Sequence, residues 1–166
     1  MKMWRASIHC QSGAAAAEMA LVTPLLVLLL FGGIETAYYF YCEHQVVKGV
    51  RDGARFASRQ SFTGINCLSG SSISATLQTD IKEVTRTGSI SGGTPRVPSW
   101  NDNDQVTVNK TCAGSDYTRG IYATEPSAPI VTVSATVPYQ SLFAGVGIIN
   151  DSYELKASQQ TAVMGI

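Results

Sequence analysis

The chain has little charge. Only 14% of its 166 residues are charged, 12 basic and 12 acidic, and the formal net charge is zero. A neutral chain has no electrostatic footprint for a phosphate backbone, so nothing argues for nucleic acid as a partner. Histidine is nearly missing, with His9 and His44 alone. No CxxC pair occurs among the four cysteines, so metal-ligand spacing is absent too. A GxSxG nucleophile elbow and a glycine-rich phosphate loop are both lacking. Asp102, Asp104 and Asp116 lack the spacing and terminal glutamate of a calcium loop and read as turn residues. These absences argue against an enzyme, a resident cofactor or a small-molecule substrate. No internal repeat is visible. The length suits one modest domain plus an anchor, and 45% apolar residues is not a disordered composition.

What the sequence does have is a long apolar run. Residues 19–34, MALVTPLLVLLLFGGI, carry no charge. Sixteen helical residues rise ~24 Å, short of the ~30 Å hydrocarbon core, whereas starting at Ala14 gives ~31 Å. A full span therefore includes Glu18, neutralised or paired, unless the helix is tilted or interfacial. Pro24 removes a backbone donor within the run and predicts a kinked or loosened helix there. A secretory signal peptide is the competing reading, with Lys2 and Arg5 before the run and GGIETA after it. But Tyr38, Cys42, Val46, Val50, Ala54 and Ala57 continue one helical stripe to about Arg59, and cleavage after the run would cut that helix near its middle. Lys48 and Asp52, four residues apart, are placed to pair. His44 reads as a solvated helix residue. Glu35 marks the outer boundary of the span, with Tyr38, Tyr39 and Tyr41 as an interfacial belt.

The rest of the chain predicts an α+β domain. SFTGIN breaks the long helix. Residues 71–88 read as a second helix, capped by Ser71 or Ser72, with Ile73, Leu77, Ile81 and Val84 as its buried stripe. Glycines with Pro95 and Pro98 then make a loop. DQVTVNKTC, APIVTVSATVPY and SYELKASQQTAVM alternate as strands, and helices followed by consecutive strands suggest an antiparallel sheet packed on helices. The apolar segment QSLFAGVGIIN, between the last two strands, is expected to tuck against the core. Cys10 precedes the apolar run and Cys42 follows it on the long helix. Cys67 and Cys112 lie beside loop residues in the distal part. A disulfide between them would suit an oxidising compartment and is favoured over two free thiols.

One stretch carries a family resemblance. GAAAAEMALVTPLLVLLLFGGIE, followed later by VRDGARFA, resembles the TadE-like minor pilins, or pseudopilins, of the tight-adherence (Tad/Flp) type IV pilus system. Glu18, Ala20, Leu21, Pro24, Gly32, Glu35, Arg51, Gly53, Ala54 and Arg55 fall on the pattern. Met19 stands where an aromatic is usual, and Asp52 where glutamate is. VPYQSLFAGVGI resembles a segment near the end of many members. The resemblance implies a prepilin peptidase that cuts after Gly13 on the cytoplasmic side, so that Ala14 becomes the N-terminus. Glu18 would then be available to pair with the Ala14 α-amine of a neighbouring subunit and set axial register. It implies a leader over residues 1–13, a transmembrane helix over 14–35, its continuation over 36–60 and a periplasmic α+β domain over 61–166. Expected partners are the bacterial inner membrane, the peptidase, other Tad pilins or pseudopilins and the pilus assembly platform. An uncleaved bitopic protein, whose periplasmic domain recruits partners for an envelope machine, is the alternative.

Overall fold

A computed structural model describes residues 11–68, 72–114, 119–144 and 153–165. The architecture is α+β: α1 (Gln11–Ser58), α2 (Ala75–Thr87), then β1 (Val106–Cys112), β2 (Pro129–Pro138) and β3 (Glu154–Ala162), with short 3-10 turns at Asn103–Gln105 and Gly120–Tyr122. The chain divides into two compact units after Tyr38.

The first unit is helical, and α1 runs through Pro24 without interruption. Its side chains from Gly13 to Ile34 are exposed on every face, among them Leu21 at 81% and Leu28 at 69%. A helix apolar all round is at home in an apolar solvent rather than on a water-facing surface. By length and composition this is a helix able to cross a membrane. Thr23 and Thr36 satisfy their hydroxyls internally, donating to the carbonyls of Met19 and Gly32 at 2.6 and 2.8 Å. Glu35, expected at a membrane boundary, is buried.

The second unit contains a packed core. Cys42, Val46, Val50, Ala54 and Ala57 are all buried, so the helical stripe continues as a core face. The sheet is a meander in the order β1-β2-β3, antiparallel throughout. Val108 sits opposite Val133, and Val137 opposite Leu155. Alternation follows from that pleat: Val131, Val133, Ala135 and Val137 point inward, whereas Ile130, Thr132, Ser134 and Thr136 lie on the other face.

α2 shows where residue patterns misplaced details. Its N-cap is Ser74, which accepts from the Leu77 amide at 3.3 Å, rather than Ser72; Ser71, the other expected cap, lies outside the described residues. Ile73 is buried but precedes the helix, Leu77 is half-buried, and Thr85 joins Ile81 and Val84 on the inner face. Gly88 ends the helix at φ +83°, a left-handed conformation that glycine adopts without strain, and its amide returns to the Val84 carbonyl. Asp102 does act in a turn, accepting from the Asp104 amide in a capping box with Gln105. Asp116 lies outside the described residues, as does most of the apolar segment after Phe143. Within that segment Ser141 is buried, but Leu142 is half exposed.

Candidate functional site

The residues singled out by pattern fall into two groups. Gly13, Ala14 and Glu18 lie in the first unit, all helical and all exposed. A Cβ built on Gly13 meets nothing within 4 Å. No contact among the described residues therefore requires glycine at that position. Glu18 enters no hydrogen bond or ion pair among the described residues. Between Gly13 and Ile34 the sequence offers two polar side chains, Glu18 and Thr23, and Thr23 folds back on its own helix. Glu18 is left with its charge unsatisfied.

The RDGAR stretch at residues 51–55 belongs to the second unit, where packing accounts for three of its five residues. Asp52 does not pair with Lys48. Its carboxylate accepts from the Arg96 guanidinium at 2.7 Å, with Arg96 largely buried. A better-placed cation, desolvated and fork-shaped, wins over a flexible lysine on the same helix. A Cβ on Gly53 would overlap the Thr85 hydroxyl, and one on Gly49 would overlap the Thr85 carbonyl oxygen and touch the Trp100 ring. These glycines, four residues apart, let α1 and α2 approach closely, and Trp100 is buried completely beside them. Sequence reading missed this crossing. The Gly-xxx-Gly spacing on a buried helical stripe was the signal that could have found it. Ala54 is buried. Arg51 and Arg55 remain, both exposed.

Cys67 and Cys112 form a disulfide, with Cα atoms 5.9 Å apart. The surrounding contacts hold the same junction. The Cys67 amide donates to Glu125, and Lys110 donates to the Asn66 carbonyl at 2.7 Å. The loop after α1 is thus fastened to the far end of β1. Cys42 is buried and takes no part in a disulfide. His44 is exposed on α1. Tyr39, read as part of an interfacial belt, packs edge-on against Tyr139 at 5.1 Å, whereas Tyr41 is exposed. Among the described residues, no three His, Cys, Asp or Glu side chains gather where they could hold a metal ion.

Compared with known proteins, residues 13–55 match the family described as TadE-like protein. No curated protein and no solved structure matches the chain.

Proposed function

Taking the chain as a TadE-like protein of the tight-adherence pilus system, we propose that it is a membrane-anchored minor pilin, or pseudopilin, of pilus assembly. In this reading a prepilin peptidase cuts after Gly13 on the cytoplasmic face of the inner membrane. Residues 14–35 span the bilayer, and the domain that follows lies in the periplasm. The role is structural rather than enzymatic.

One observation carries the reading: Glu18 is a carboxylate without a partner among the described residues, four residues past the new N-terminus of an apolar helix whose side chains are exposed from Gly13 to Ile34. A charge in hydrocarbon is costly alone and strongly attracted to an opposite charge. The α-amine of Ala14 on a neighbouring subunit supplies that charge once the leader is removed. The pair fixes the height of one helix against the next. Gly13 fits the same scheme. No packing among the described residues explains it, whereas a peptidase that must reach the Gly13–Ala14 bond favours an absent side chain. The disulfide between Cys67 and Cys112 is suited to the oxidising periplasm.

The test is the N-terminal mass of the protein extracted from membranes. A chain beginning at Ala14 is expected. Retention of Met1 on the functional pool would overturn the processed-pilin reading in favour of the uncleaved bitopic protein. A start beyond residue 34 would favour a cleaved signal peptide.

A further inference from the structure

Among the described residues, the guanidinium groups of Arg51, Arg55, Arg59 and Arg119 have no role in the packing described above, and two of them share a pocket. Arg51 and Arg55 stand one turn apart on α1 and, with Ala54, Gln159, Gln160 and Thr161, line a pocket of about 310 Å³. Neither side chain enters a hydrogen bond or ion pair among the described residues. Arg86, by contrast, is held by Glu83 and Asn103, and Arg96 by Asp52. No acidic residue lines the pocket. Like charges one helical turn apart repel. The helix dipole favours a cation in the last turn, which accounts for Arg55 but not for Arg51, a turn further in.

The lining has the chemistry of an anion site. Two planar guanidiniums offer paired N–H donors to an oxygen fork. The two glutamine amides and the Thr161 hydroxyl add hydrogen-bonding capacity without charge. The volume is at the low end for ligand pockets, about 300–1,000 Å³, and suits one side chain rather than a large cofactor. The site also lies near the C-terminal, partially negative end of α1, away from the backbone amides of a helix N-terminus that favour phosphate. A singly charged group fits such a place better than a doubly charged one. We propose that this pocket is a carboxylate-binding site that receives an Asp or Glu side chain of a neighbouring protein subunit. That the carboxylate comes from a subunit rests on the pilus reading. The anion chemistry of the pocket does not.

The experiment uses the full chain in detergent micelles with ¹⁵N-labelled arginine. Sodium propionate, a single carboxylate like an Asp or Glu side chain, is titrated at constant ionic strength while the guanidinium Nε–H resonances are followed. Arg51 and Arg55 are expected to shift together and saturate in the millimolar range, while Arg86 and Arg96 stay still. Arg55→Gln is expected to weaken the response at Arg51 about tenfold, the scale of one charge-assisted hydrogen bond. Arg55→Lys, which keeps charge but loses the fork, should weaken it less. Circular dichroism checks that each variant is folded. Movement that is linear and shared with the exposed Arg59 and Arg119 would mean simple screening and would overturn the site. Tighter saturation by inorganic phosphate than by propionate would overturn the partner carboxylate in favour of free phosphate. Because the readout is binding by the purified chain, neither outcome depends on whether Gly13 is cut.

Discussion

The two units use the same residue types for opposite ends, and the glycines show it best. Gly13, Gly32 and Gly33 have open space where a Cβ would stand. At Gly49 and Gly53 the same atom would run into Thr85. The first set has no explanation in contacts among the described residues, while the second is explained by them. Carboxylates divide the same way. Glu18 has no partner among the described residues, whereas Asp52 is locked to Arg96. Contacts among the described residues do not account for residues 13–34, which the proposed function explains by lipid, a peptidase and neighbouring helices. The distal unit is shaped for its own core. It follows that substitutions in the distal unit should register in unfolding, and those in the proximal segment should register only in processing and assembly.

The largest effect on unfolding should come from the disulfide. It closes a loop of 45 residues between Cys67 and Cys112. Replacing both by serine is expected to cost ~4 kcal/mol on the chain-entropy model. Denaturant unfolding in detergent, read by fluorescence of the buried Trp100 in a Trp4→Phe background, measures it. An unchanged midpoint would mean that the hydrogen bonds of Lys110 and Glu125 hold the junction by themselves.

The next effect should come from one methyl group. Gly53→Ala ought to stabilise an exposed helix by about 1 kcal/mol. Here its Cβ falls on the hydroxyl of Thr85, a fully buried residue whose hydroxyl is committed to the Ile81 carbonyl. A net loss of ~1–3 kcal/mol is expected, as for overpacked cores. Gly33→Ala, with nothing near its Cβ, should leave the distal unfolding unchanged. Equal results at both positions would erase the contrast between the two sets of glycines.

Much of the fold was legible in the sequence because periodicity reports burial. The stripe from Cys42 to Ala57 and the alternation of β2 are both consequences of one face meeting a core. What stayed hidden depends on long-range geometry. Asp52 finds Arg96 across 44 residues of sequence, in a stretch that reads as loop. Trp100, just past Pro98 in that loop, is fully buried, which no local pattern shows. The cap of α2 slipped because several serines precede the helix and the pattern alone does not say which one caps it. At the candidate site Gly13, Ala14 and Glu18 come from motif alone, and the roles proposed for them rest on that motif. Motif could not separate Asp52, Gly53 and Ala54, which packing explains, from Arg51 and Arg55, which it does not.

The smallest effect on unfolding, and the sharpest test of the comparison, belongs to Glu18. Glu18→Gln keeps size and hydrogen-bonding capacity and removes the charge. The side chain is exposed and unpartnered within the chain, so the distal unfolding midpoint should not move. Membrane insertion should be equal or better, since a charge that is costly in lipid has gone. Assembly should suffer. A neighbour's Ala14 amine, packed among apolar helices, would be left without a counter-charge, and an uncompensated buried charge is a strong penalty. Processing must be verified first by N-terminal mass, because Glu18 is close enough to Gly13 to influence cutting. Co-purification with pilus components, normalised to membrane level, should then fall severalfold for correctly processed Glu18→Gln. If recovery is normal, the carboxylate merely ends the span, and the register of the proposed helix packing must be set by something else.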